Sequence, residues 1–240
     1  KNKGDIMYVI PRNYFIRLHH VRPRFKGDIE NVLIYVATEI DKLNEMTAVD
    51  FADKVNNAIK CYPGNSNKTI KTINNWRTEI SALFGYIITD NGLTTAGRRA
   101  SELAKEQDLV KSFKMFLYSF QYPGAHIKSH ENLKLIEAGV HFKPAQYILK
   151  VLQSGEKLTG GRVGISKAET CHCIFNDLRC VRDNENPDLT WCRIQENREK
   201  GVAYDNRGDV IRYAGDIIDY MRIANLLVTH DGKQYFLNKL

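Results

Sequence analysis

The chain has 240 residues, 43% of them hydrophobic, and a formal net charge of +7. That composition excludes wholesale disorder and fits one large or two ordinary folded domains. No apolar run approaches the roughly 20 residues that cross a bilayer, no secretory leader opens the chain, and five cysteines, an odd number, give no disulfide framework. The expectation is a soluble cytoplasmic protein with no membrane contact, and the first residue, Lys1, is read as the start of a fragment.

Charge is unevenly placed. Residues 1–27 carry seven Lys/Arg against the single acid Asp5, so the remaining residues are nearly neutral. A basic leading arm ahead of a neutral body points to a polyanionic partner, against the plainer reading of a solvated tail. Within the arm, residues 6–25 mix β-branched, aromatic and basic residues between the breakers Pro11 and Pro23, which predicts an extended arm with room for a short strand or a helical turn.

Asp28 then caps a helix over about 28–44, where Ile29, Leu33, Val36, Ile40 and Leu43 recur at helical steps. Thr47 caps a second helix with Phe51, Val55 and Ile59 as its stripe. After the breaker-rich loop 61–67, a third helix over 68–84 turns Ile70, Ile73, Ile80, Leu83 and Phe84 inward and ends at Gly85. A strand at 86–89, a tight turn at Asp90-Asn91-Gly92 and a return at Leu93-Thr94 form a hairpin. Helices follow from about Thr95, containing Leu103, and over 108–120.

Residues 121–143 read as a linker with a short helix around 133–138. Pro144 opens the next helix. Ser166 with Glu169 makes a capping box for another, and a further helix follows the turn at 184–188. The segment 208–227 reads as a helix, 227–230 as a strand, Asp231-Gly232 as a turn and 233–237 as the returning strand. The fold class is therefore mainly α with small β-hairpins: two tandem winged helix-turn-helix subdomains behind a basic N-terminal arm. The boundaries are 1–27 for the arm, 28–120 for the first subdomain, 121–143 for the linker and 144–240 for the second.

In helix-turn-helix proteins the second helix of the motif enters the major groove. The helix over 68–84 suits that place. Lys68 and Lys71 neutralise phosphates or read guanine, Asn74, Asn75 and Arg77 match base edges, and Thr69 and Thr72 bond phosphate oxygens. The alternative is a solvated polar face on a core helix. Asn91 in the wing turn and Arg98 beside it are placed to touch the backbone. Arg12, Asn13, Tyr14 and Arg17 of the arm are placed to enter a groove. In the second subdomain Arg207 and Arg212 are candidates, weakened by Asp209, Asp216 and Asp219.

Cys171, His172 and Cys173, with Cys180 and Cys192, raise a zinc site. The spacing is wrong for one, because residues two apart on a helix point to different sides, and buried thiols fit better. Pro187-Asp188 with Asp231-Gly232-Lys233 raises a nuclease centre, but the second triplet first serves a hairpin turn. The chain itself is expected to be non-catalytic, with no metal or cofactor.

The strings KTINNWRTEISALFG (71–85) and FQYPGAHIKSHENLKLIEAGVHFKPAQYILKVL (120–152), with RYAGDIIDYMRIANLL (212–227) more loosely, resemble the DNA-recognition domain of Type IIS restriction endonucleases of the BpuJI kind. The resemblance implies a prokaryotic, monomeric recognition domain for double-stranded DNA. It also implies a separate nuclease domain later in the parent chain, where Mg²⁺ is expected. A tandem winged-helix transcription regulator and a protein-interaction scaffold are the alternatives; the first would dimerise on a palindrome and the second would show no salt-dependent DNA affinity.

Overall fold

A computed structural model describes residues 6–20, 29–124 and 126–239. The chain divides into two compact units: one holds residues 20–112 and 125–127, the other residues 1–19, 113–124 and 128–240.

The central unit opens with α1 (Ile29–Asp41), which buries Val32, Leu33, Val36, Ala37 and Ile40. These positions lie on one helical stripe, and that stripe packs against α4 (Arg98–Glu106). A two-residue strand, β1 (Met46–Thr47), leads directly into α2 (Ala48–Cys61). The Thr47 hydroxyl accepts from the Asp50 N–H at 3.2 Å, the expected cap. The loop that follows is tied down by Asn65, whose buried amide donates to the Ile59 carbonyl at 2.8 Å.

Thr69 caps α3 (Ile70–Phe84), and Gly85 ends it at φ 67°, a left-handed value that suits glycine. Strands β2 (Ile87–Asp90) and β3 (Leu93–Ala96) are joined by Asn91 and Gly92 at φ 49° and 80°. Two positive φ values give the turn whose twist matches a tight hairpin. The sheet order is β1-β3-β2, so the short first strand closes on the hairpin through Met46↔Thr94 and Thr47↔Leu93. Gly97 must be glycine for a different reason: a Cβ there would collide with the Gly85 carbonyl oxygen.

The division between units falls within α5 (Leu109–Ser119). The other unit takes up the N-terminal segment. Residues 6–19 form no helix; they run as irregular chain interrupted by a turn at 12–14, where the Tyr14 N–H donates to the Pro11 carbonyl at 2.8 Å, but they are not a loose arm. Met7 bridges Ala203, Phe15 bridges Asp177, and Ile10 and Leu18 are buried. Then come α6 (Ser129–Glu137) and α7 (Pro144–Thr159), with Pro144 in the first turn. The Gly155 surface of α7 meets the Trp191 ring of α10 (Pro187–Glu199), where a Cβ would stand 2.6 Å from the indole.

Between these lie β4 (Gly164–Ile165), α8 (Lys167–Thr170), a π turn over Cys171–Phe175 and α9 (Leu178–Val181). The Ser166/Glu169 capping box is present with both reciprocal bonds. Helix α11 (Gly208–Ile223) leads to β5 (Leu227–Val228) and β6 (Tyr235–Leu237), and the sheet order is β4-β6-β5. Each unit thus has helix, short strand, helices, then a hairpin whose second strand pairs back with the short strand.

Three expectations are corrected. The helix expected over 28–44 ends at Asp41, and that expected over 208–227 ends at Ile223, with Asn225 at φ 54°. Ile70 faces solvent, 67% exposed, because α3 starts there and its first turn projects beyond the core. Cys171 and Cys173 are both buried, as the sequence suggested, although the turn that carries them is a π turn and not an α-helix. Asp28 lies outside the described residues.

Candidate nucleic-acid interface

Helix α3 owes its position to a short apolar ladder. Ile73, Trp76, Ile80, Leu83 and Phe84 are buried, which turns Lys71, Asn75 and Thr78 outward at steps of four and three. Lys71 and Asn75 make no side-chain hydrogen bond among the described residues. They stand one turn apart with all their donors available, a cation for phosphate or guanine beside an amide suited to adenine.

The neighbouring candidates are partly committed to the fold. Thr69 spends its hydroxyl on the cap of α3, accepting from the Thr72 N–H at 3.3 Å, and the two hydroxyls lie 3.1 Å apart. The Asn74 side-chain oxygen Oδ1 accepts from the Asn56 side-chain amide of α2 at 2.9 Å, which ties the two helices together. Lys68 is half-buried, its ammonium 5.4 Å from the centre of the Trp76 ring. That contact restrains the lysine and leaves its charge at the start of α3. Arg77 is half-buried on the next turn.

In the β2-β3 hairpin, Asn91 is exposed at the tip and the Thr89 and Thr94 hydroxyls meet at 2.9 Å across the strands. Arg98 is exposed but paired with Glu102 at 2.7 Å. Arg99 is a structural residue: it reaches the Phe84 carbonyl at 3.4 Å, and burial pulls its pKa below the usual arginine value.

The arm and C-terminal candidates belong to the other unit. Arg12 and Asn13 are exposed. Tyr14 is half-buried, with the Arg179 guanidinium 5.0 Å over its ring and its carbonyl accepting from the Leu178 N–H at 2.8 Å. Arg17 donates to the Asp209 carbonyl at 2.7 Å, which joins the arm to α11. Arg207 is exposed and held in a two-point pair by Asp205. Arg212 lies 4.8 Å over the Tyr213 ring and donates to its hydroxyl at 3.1 Å. Of the fifteen sequence candidates, Lys71, Asn75, Asn91, Arg12 and Asn13 are thus exposed with no side-chain bond of their own among the described residues.

The residues that raised metal chemistry have other work. Asp231 accepts from the Lys233 and Gln234 N–H groups at 2.8 and 3.1 Å, closing its own turn. Among the described residues no cluster of three His, Cys, Asp or Glu side chains is placed to hold a metal ion. Burial pushes the Cys171 and Cys180 thiols up to about 12 and Cys173 to about 11, which suits inert core thiols better than ligands or nucleophiles.

A family model for the N-terminal part of the restriction endonuclease BpuJI matches residues 8–240. The chain belongs to that family. A crystal structure of the BpuJ1 endonuclease binding domain in complex with pyrene- and phenanthrene-modified DNA has the same fold, with a TM-score of 0.85. The two are 24% identical, and the match covers 93% of this chain and 81% of that one. No curated protein sequence matches. Among the described residues no helix is long and apolar enough to cross a membrane.

Against this family background, the sequence reading missed two surface features. The exposed large apolar side chains of the central unit, Val49, Ile70, Ile88 and Leu93, all sit at the first turns of α2 and α3 or on the hairpin. The other is a run of lysines on α7. The first had a signal in the sequence, since Ile70 directly follows the cap residue Thr69.

Proposed function

We propose that the chain is a sequence-specific double-stranded DNA recognition domain of a Type IIS-like restriction endonuclease, monomeric on its site, with each unit built on a winged helix. The observation that carries this reading is the outward pair Lys71 and Asn75 on α3, the helix that follows α2 after a loop over 62–69 and precedes the β2-β3 hairpin. That order, with β1 closing on β3, is the frame in which a helix is offered to a groove and a wing to the adjoining backbone. Family membership and the DNA-bound structure of similar fold support it.

In this reading Asn75 meets a base edge, Lys71 a phosphate or guanine, and Lys68, Thr69 and Thr72 the flanking backbone. Asn74 and Arg77 support and border the contact. Asn91 of the wing and Arg12, Asn13 and Arg17 of the arm add backbone contacts, with Arg98, Arg207 and Arg212 reaching phosphates by exchanging their present partners. Cleavage belongs to a nuclease domain elsewhere in the parent protein, which is where Mg²⁺ would act.

Selection from a random duplex pool, followed by salt titration on the selected site, tests the reading. The expected result is one enriched sequence bound as a 1:1 complex, with log affinity falling linearly with log salt. An unenriched pool, or affinity indifferent to salt, overturns it.

A further inference from the structure

Helix α7 carries Lys143 at its cap, then Gln146, Lys150, Gln153 and Lys157 at steps of three and four. These residues form one stripe, exposed apart from the half-buried Gln146, while the opposite side of the helix buries Ile148, Val151 and Leu152. Successive lysines stand about 10 Å apart along the axis, at about 1.5 Å per residue. A merely solvated helix face usually mixes both signs, as Arg98 and Glu102 do on α4. This stripe contains no acid. The helix's one carboxylate, Glu156, is off the stripe, half-buried and paired with Lys239 at 2.9 Å.

The stripe borders an open hollow of about 370 Å³. Lys143, Gln146 and Lys150 form one wall, and Gln121, His141 and Asn184 supply the others. Its floor includes Tyr122, Phe142 and Tyr147, all buried. The Tyr147 hydroxyl is spent on the Glu185 carbonyl and the Thr190 hydroxyl, both at 2.8 Å, so the floor is rigid. Lys143 is held at the rim, its ammonium 5.7 Å from the centre of the Tyr118 ring. Amide and ammonium donors converge here with no carboxylate in the lining. Such a site selects an anion, and a periodic row of cations beside it selects a periodic polyanion.

We propose that the outer face of α7 and its hollow form a second, sequence-independent DNA contact, in which the hollow seats a backbone phosphate and Lys150 and Lys157 meet phosphates farther along. The proposal rests on the reading of the chain as a duplex-DNA binder. It adds cations that read no base: they raise affinity and fix register.

The test is a salt titration of the full chain on its selected duplex, for wild type, Lys150→Ala and the Lys143→Ala/Lys150→Ala double variant. Each lost phosphate contact should make the log–log slope shallower by about one unit, so the double variant loses about two, with base preference intact. Replacing single phosphates by uncharged methylphosphonate should weaken the wild type at one position to which Lys150→Ala is indifferent, and Lys150→Arg should restore the response. Both lysines are exposed, so melting temperatures should match the wild type; if the double variant melts early, Lys150→Ala alone carries the test. A wild-type slope in the double variant overturns the proposal while leaving the functional reading intact. A wild type without salt-dependent affinity overturns both.

Discussion

Asn74 and Asn75 are adjacent in sequence and chemically identical, yet the structure gives them different work. Asn56 is buried, and its amide donates to Asn74 at 2.9 Å. Asn74→Ala removes that acceptor and leaves a buried donor unsatisfied, which costs about 1–3 kcal/mol. For a chain of this size, that corresponds to a fall of roughly 2–12 °C in melting temperature, at about 2–4 °C per kcal/mol. Asn75→Ala loses no partner within the protein, so its stability should stay within about 0.5 kcal/mol of the wild type. Its loss should appear in DNA discrimination, where a bidentate amide–base pair contributes about 1–3 kcal/mol against the wrong base. Thermal melts paired with competition by single-base variants of the selected site separate the two effects. A stable Asn74→Ala that loses base preference, with an Asn75→Ala that keeps it, would refute the assignment of α3's faces.

Two further expectations concern the fold. Burial, with a smaller push from His20, pulls the His126 pKa down from 6.5 to about 3. The folded state thus keeps the ring neutral where the unfolded chain protonates, so this contribution is intact above pH 6.5 and is lost as pH falls from 6.5 towards 3. The loss is at most about 1.4 kcal/mol per pH unit, and urea midpoints from pH 7 to 5 should decline more steeply in the wild type than in His126→Gln; parallel lines would remove His126 as the cause. In the arm, Leu18 is fully enclosed and Arg12 is exposed. Leu18→Ala should cost about 2–5 kcal/mol, whereas Arg12→Ala should leave melting unchanged and lower the salt slope by about one. A destabilised Arg12→Ala or an indifferent Leu18→Ala would contradict this division of roles.

Local chemistry announced much of this architecture. The caps at Thr47, Thr69 and Ser166, the Pro144 start and the Asn91-Gly92 turn are each decided by a few neighbouring residues, so their signals survive in the linear chain. The strands β1 and β4 left no such trace. Two residues carry no period, and their partners lie far away, as Gly164 with Phe236 shows. The packing of the arm was hidden likewise, because irregular chain buries Ile10 and Leu18 without helical spacing. For the proposed interface, charge and amide content pointed to α3. They did not distinguish Asn74 from Asn75, since the partner of Asn74 arrives from another helix. The lysines of α7 escaped notice because that helix was read for its apolar side.

The unit that includes both ends of the described chain has a consequence for biosynthesis. Tyr8 donates to the Ala203 carbonyl, and β4 finds its partner only at Tyr235 and Phe236. The central unit has nearly all its segments once about residue 127 has left the ribosome, whereas its companion must wait for some 110 more. During that interval Ile10 and Leu18 have no finished core to enter, so a nascent chain stalled before residue 203 should present them to chaperones.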